Sequence, residues 1–237
     1  MSTDSDELIK ILECIRALHK YFPADFILVG GAAACFQGHK RITKDVDILI
    51  RSKTVIDSLK FVEGFEVMAG KLSYRSVIID LLTTIDDRFV YDQVDGHVRY
   101  VNGVRLLQPD FALAVKIRCF YLRQEDAKGL QKRQTDLMDA VFWAEMLNKT
   151  RQTISDTCAA LFKIGYYHAL LIRLNLHPDK FQKLVDVGFE RLLIPWEKNT
   201  PEQREYYSEF AAEGTDPVTV PLDEDLYEEL EDAAAFE

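Results

Sequence analysis

Two aspartates stand two residues apart in the run Asp45-Val46-Asp47-Ile48-Leu49-Ile50. In an extended segment residues so spaced project from the same face, so both carboxylates point the same way. Like charges held side by side repel unless a cation neutralises them. Mg²⁺ suits such a pair, because it takes a few carboxylates and fills its other positions with water and phosphate oxygens. Mn²⁺ accepts the same hard ligands. Upstream lies Gly30-Gly31, separated from Asp45 by thirteen residues. Glycines let a backbone approach a phosphate closely, and a helix that follows turns its first N–H groups toward the anion. One segment thus joins a phosphate cradle to a metal cradle. A Gly-Gly pair alone is a common turn, and Asp-x-Asp alone is a common solvated strand end. The specificity lies in their combination between apolar flanks.

Those residues need elements to position them. The apolar run 26–29 predicts a buried strand that feeds the glycine turn, followed by a short helix over 32–36 closed by Gly38. A second strand over 46–50 follows the first aspartate. Leu8, Ile11, Leu12, Ile15 and Leu18 recur at helical spacing and predict an amphipathic helix over 5–21 with Ser5 as N-cap. A helix over 52–62 ended by Gly64, strands over 65–68 and 74–82, and a hairpin turning at Asn102-Gly103 complete this part. From Pro109 the pattern is helical: one helix opens at Pro109, and others cover 132–147, 151–174, 178–193 and 201–212. The expected fold class is α/β (α+β), a small mixed β-sheet with flanking helices over 1–108. A helical region over 109–213 then completes the active-site cleft, and 214–237 forms an acidic tail.

Composition narrows the function classes. Hydrophobic residues make up 48% of the chain, enough for a sizeable core. No stretch approaches the roughly 18–20 apolar residues of a membrane span, so no membrane role is expected. Met1-Ser2-Thr3-Asp4-Ser5-Asp6 has no basic region leading into an apolar run, so no secretory signal is expected either. Cys14, Cys35, Cys119 and Cys158 are widely spaced among apolar neighbours, which reads as reduced thiols in a cytoplasmic protein. The formal charge of −10 is unevenly placed: residues 205–237 hold 12 acidic residues and no Lys or Arg. Removing those 12 from the 39 acidic residues leaves 27 against 29 basic ones in residues 1–204. The acidity belongs to the tail, which reads either as a solubilising segment or as a strip, 223–233, that folds over a basic groove.

The glycine turn, short helix and Asp-x-Asp strand resemble the signature of the nucleotidyltransferase superfamily of polymerase β-like folds, over residues 26–143. That resemblance implies a third carboxylate on a neighbouring strand. Asp80, in Val77-Ile78-Ile79-Asp80-Leu81-Leu82, is the candidate, although a buried acid held in a salt bridge is the plainer reading of the same residue. Within the superfamily the likeness is to the AbiEii-like branch, which includes toxin components of bacterial toxin–antitoxin systems. Arg41-Ile42-Thr43-Lys44-Asp45-Val46-Asp47 matches the Arg-x-Thr-x-Asp-x-Asp ending of its first motif. Lys116 matches its helical lysine, and Arg133-Gln134-Thr135-Asp136-Leu137-Met138-Asp139 matches its Arg-x-Lys-Asp-x-x-Asp, with Thr135 where Lys is usual.

The resemblance implies transfer of a nucleoside monophosphate from a nucleoside triphosphate such as ATP to a hydroxyl acceptor, with release of pyrophosphate. Asp45, Asp47 and Asp80 would be the metal ligands and, with Lys116, the catalytic set. Gly30, Gly31, Arg41, Thr43, Lys44 and Asp136 would contact the nucleotide. The acceptor stays open between RNA such as a tRNA end, a protein side-chain hydroxyl and a small molecule. Lys116 also reads as a lysine that snorkels to the surface, and Asp136 and Asp139 as partners of Lys132 and Arg133. Lys40, Arg41, Lys44, Lys116, Arg118, Arg123, Lys132 and Arg133 gather in the motif-bearing segments, as either an RNA surface or ordinary solvated faces. No basic run interleaved with aromatics stands out. A non-catalytic module that retains the fold and binds nucleotide or a partner is the second function class.

Overall fold

The structure is a computed structural model and describes residues 3–41, 43–52, 54, 57, 59–68, 70–85, 89–123, 127–162, 178–193 and 201. The chain forms two compact units, Met1–Ala112 and Leu113–Glu237. The first is built on a seven-stranded mixed sheet, the second on helices, so the fold is the mixed α/β type expected. No helix among the described residues is long and apolar enough to cross a membrane.

In the first unit, helix α1 (Thr3–Tyr21) leads to strand β1 (Phe26–Leu28), helix α2 (Gly30–Phe36) and strand β2 (Asp45–Ile50). Strands β3 (Phe65–Met68), β4 (Lys71–Tyr74) and β5 (Val77–Leu82) follow, and β8 (Val98–Val101) and β9 (Val104–Leu107) form a hairpin. The sheet order is β3-β4-β5-β2-β1-β9-β8. The β2–β5 and β1–β9 pairs are parallel, and the others are antiparallel. A short ladder of β6 (Thr84–Ile85) and β7 (Phe89–Val90) and helix α3 (Tyr91–Val94) lie between β5 and β8. Ile11, Ile15 and Leu18 of α1 are buried, at the spacing that first marked the helix, and α1 contacts β2, β5 and β9. Phe26, Ile27, Leu28, Val46 and Ile48 fill the middle of the sheet. None of the four cysteines forms a disulfide. Burial pushes the Cys14 thiol up to about 12, as expected of an inert core residue.

Two expectations need correction here. The segment 74–82 is two strands, because Arg75 and Ser76 take φ of 45° and 72° and reverse the chain. The preceding strand Lys71–Tyr74 pairs antiparallel with β5 through Leu72, Ser73 and Tyr74, and its polar composition had concealed it as a strand. Helix α1 also begins at Thr3, ahead of the expected Ser5. Of the helix expected over 52–62, residues 53, 55, 56 and 58 fall outside the described residues, and 163–174, 202–212 and the tail 214–237 lie wholly outside them.

In the second unit, α4 (Pro109–Leu122) runs on from the first, and α5 (Ala127–Lys149) is its longest described helix. Leu137, Ala140, Trp143, Ala144 and Leu147 form the buried stripe of α5, which contacts α7 (Pro178–Val185). Between them α6 (Asp156–Leu161) is shorter than the helix expected from 151. Ser155 caps it by accepting a hydrogen bond from the Cys158 N–H at 3.1 Å. Gly188, at φ 75°, breaks the expected 178–193 helix and begins a 3₁₀ turn, Phe189–Leu192.

The β8–β9 turn shows the expected chemistry, since Asn102 and Gly103 take φ of 48° and 83°, as a two-residue hairpin requires. A Cβ at Gly103 would also stand 2.6 Å from Nε2 of His19. Gly103→Ala is expected to lower stability by about 1–3 kcal/mol. Urea unfolding should show an earlier midpoint with an unchanged slope.

Candidate active site

The β2–β5 register sets the carboxylates. Asp47 is the direct partner of Asp80, and Asp45 of Ile78, on adjacent parallel strands. Partners across a sheet project from the same face, so Asp45, Asp47 and Asp80 share one side. Val46, Ile48 and Ile79, on the other side, are buried, while the three aspartates are half-exposed. Among the described residues no three His, Cys, Asp or Glu side chains draw together closely enough to cage a metal. The three acids form an open face.

The glycine turn meets that face through close contact. Gly30 has φ 64°, and the carboxylate of Asp47 lies where a side chain at position 30 would begin, with Cγ 3.0 Å from an ideal Cβ. At Gly31 the same position is taken by the guanidinium of Arg41, whose Cζ is 2.6 Å away, and by Oγ1 of Thr43 at 3.2 Å. The glycines therefore admit two charged side chains to the start of α2. The backbone N–H of Val29 donates to the carbonyl of Asp47 at 3.0 Å, which ties the turn to β2. The returning loop is fastened twice. Cys35 Sγ donates to the Arg41 carbonyl at 3.1 Å, and the buried Thr43 hydroxyl donates to Oδ1 of Asp45 at 3.0 Å. Lys40 and Lys44 are exposed.

The later motif residues sit in the second unit and bind each other. Lys116 Nζ lies 2.9 Å from Oδ1 of Asp136 and 3.0 Å from Oδ2 of Asp139. Asp136 also accepts from Arg123 Nε at 2.7 Å, and Arg133 donates to the Arg123 carbonyl at 2.7 Å. Asp136, Asp139, Lys116, Arg118 and Arg133 are all buried. Burial alone would pull Lys116 downward, but Asp139 and Asp136 outweigh it and hold the ammonium above the ordinary lysine value. The partners of the two aspartates thus include Lys116 from the preceding helix, which the i,i+3 and i,i+4 spacing within α5 could not reveal. Nor do the eight basic residues of the motif-bearing segments form one exposed surface, since three of them are core residues.

Two contacts and one burial were not read from the sequence. The Cys35–Arg41 bond had no signal beyond a cysteine near a turn. The Thr43–Asp45 bond was legible as a hydroxyl two residues before an acid. Burial of Asp139 was legible only as its place on the apolar stripe of α5, one residue before Ala140.

Among solved structures, the chain is similar to an antigenic nucleotidyltransferase-like protein from Paracoccidioides brasiliensis. The TM-score is 0.51 at 20% sequence identity, covering 77% of this chain and 94% of that one. The likeness establishes a nucleotidyltransferase-like fold. No family model and no curated protein matches the chain.

Two outcomes follow from these contacts. Gly30→Ala must displace Asp47 and strain the left-handed turn, so it should lower stability by about 1–3 kcal/mol in chemical unfolding. Lys116→Met leaves two buried carboxylates without their shared cation and should cost about 3–5 kcal/mol in chemical unfolding. A raised folded pKa stabilises fully below the unfolded lysine value of about 10.4, and that contribution declines as pH rises from there through the folded value. The wild type should therefore lose stability more steeply than Lys116→Met as pH rises above about 10.4.

Proposed function

We propose that this chain is a metal-dependent nucleotidyltransferase, moving a nucleoside monophosphate from a nucleoside triphosphate such as ATP to a hydroxyl acceptor with release of pyrophosphate. The observation that carries the reading is the shared face of Asp45, Asp47 and Asp80, with Asp47 seated against the glycine turn. The donor set fits Mg²⁺ or Mn²⁺, since all three side chains offer hard oxygens. An open face also suits Mg²⁺, which takes phosphate oxygens and water in preference to an all-protein cage. Asp45, Asp47 and Asp80 would hold the metal. When bound, it polarises phosphate oxygens and lowers the pKa of an acceptor hydroxyl.

The rest of the reading concerns the chain's own residues. The acceptor oxygen bonds to the α-phosphorus as the bond to the bridging oxygen breaks, pyrophosphate leaves, and the acceptor proton passes to Asp80. Gly30 and Gly31 let the triphosphate approach the backbone, and Arg41 and Lys44 contribute positive charge beside it. Thr43 steadies Asp45 through its hydrogen bond. The finer assignment to the AbiEii-like branch is supported by Arg41-Ile42-Thr43-Lys44-Asp45-Val46-Asp47, whose arginine and threonine both pack against Gly31. For Lys116 and Asp136 the support is the motif likeness, and their ion pair makes positioning of the second unit's helices the part they fit.

The test supplies each nucleoside triphosphate, labelled at the α- or γ-phosphate, with Mg²⁺ or Mn²⁺ and a pool of RNA, protein and small hydroxyl compounds. Label should move from the α position only. Asp45→Asn and Asp80→Asn should each lower transfer at least about 100-fold. Transfer from the γ position would replace this reading with a kinase-like one. Absence of nucleotide binding by calorimetry would replace it with the non-catalytic module.

A further inference from the structure

We infer that Cys35 is a positioning residue for the nucleotide, acting through Arg41. The inference rests on the transferase reading above, in which the Arg41 guanidinium stands beside the triphosphate. Cys35 is the penultimate residue of α2 and is buried. Its Sγ donates to the Arg41 carbonyl at 3.1 Å, six positions further along the chain. The carbonyl of Cys35 accepts from the Gly38 N–H at 2.9 Å, and that of Ala34 accepts from the His39 N–H at 3.0 Å. These two backbone bonds close the exit of α2. Gln37, the C-cap, accepts from Arg99 of β8 through its side-chain oxygen, which ties that exit to the sheet. The thiol therefore reaches the returning loop from a platform that is itself fixed.

The tether decides where the Arg41 side chain begins. With its carbonyl held beside Cys35, in the last turn of α2, Arg41 sends its guanidinium back to Gly31, where Cζ lies 2.6 Å from an ideal Cβ. Four helical steps separate Gly31 from Cys35, a rise of about 6 Å, and an arginine side chain spans that distance. A main chain that drifts from Cys35 carries the guanidinium away from the glycine turn, and with it the charge that faces the triphosphate. The neighbouring cations are placed differently, since Lys40 and Lys44 are exposed whereas Arg41 is half-buried. Further along the loop Thr43 is held through Asp45, so the thiol and the hydroxyl fasten the two ends of the segment that carries Arg41. A thiol is a weak donor, yet without it the Arg41 carbonyl loses that partner. An arginine already held in place gives up less conformational freedom when it meets a phosphate. The tether therefore acts on affinity for nucleotide more than on the chemical step.

The test uses the full chain with Cys35→Ala, which removes the donor, and Cys35→Ser, which keeps one. Affinity for a non-hydrolysable ATP analogue is measured by calorimetry with Mg²⁺, and KM and kcat are read from transfer of α-labelled nucleotide. Cys35→Ala should weaken analogue binding and raise KM about fivefold, with kcat within about twofold of wild type. Cys35→Ser should recover most of that loss. In an Arg41→Met background Cys35→Ala should weaken binding no further, because the side chain it positions is gone. Cys35→Val serves as the variant without a donor if Cys35→Ala does not fold. Wild-type affinity without the donor, no recovery with Cys35→Ser, or an undiminished loss in the Arg41→Met background overturns the inference. A wild type that does not bind the analogue sinks the transferase reading and this inference with it. Analogue bound equally by wild type and Cys35→Ala sinks only the positioning role.

Discussion

Asp47 occupies the space that any side chain at position 30 would need, and the geometry of the site is arranged around that approach. The contact fixes the glycine turn over β2, and the Val29–Asp47 backbone bond holds it there. Because Asp47 is also the register partner of Asp80, the turn, the first acidic pair and the third acid have one reference point. A slip of one residue in β2–β5 would turn Asp80 to the buried side and Ile79 to the open one. The apolar alternation of both strands resists that slip, so the core secures the placement of the charges.

The two units treat aspartate in opposite ways. Asp136 and Asp139 are buried and compensated from within, by Lys116 and, for Asp136, by Arg123 as well. Such a network fixes helix geometry more than it adds stability, since desolvation offsets most of the attraction. Asp45, Asp47 and Asp80 stand half-exposed on an open face, and Asp45 is held by the neutral hydroxyl of Thr43. A carboxylate steadied by a neutral hydroxyl, as Asp45 is, keeps its charge for something that arrives from solution.

Much of this was legible in the sequence because it rests on short-range rules. Period-two spacing put Asp45 and Asp47 on one face, Asn102-Gly103 gave the hairpin, and the apolar periodicity of α1 gave its buried side. The β4–β5 hairpin was not legible, since Arg75 and Ser76 adopt positive φ without the glycine or asparagine that announces such turns. The role of Gly30-Gly31 was only half legible. Glycine signalled a close approach, but that Asp47 and Arg41 make it depends on the return of the chain through β2. The Lys116 pairs were hidden for a related reason, because they join two helices and local spacing speaks only within one.

The parallel pairing of β2 with β5 has a consequence for how the protein is made. Asp47 and Asp80 are more than thirty residues apart in the chain, and the β3–β4 hairpin lies between them. Loop-closure entropy must be met before that pairing is rewarded, so it belongs among the slower folding events. A growing polypeptide presents the glycine turn and the first two acids well before the third is synthesised. The complete acidic face exists only once the non-local strand has docked, and unfinished or misregistered chains lack it. Topology in this way couples the onset of ligand binding to the completion of folding.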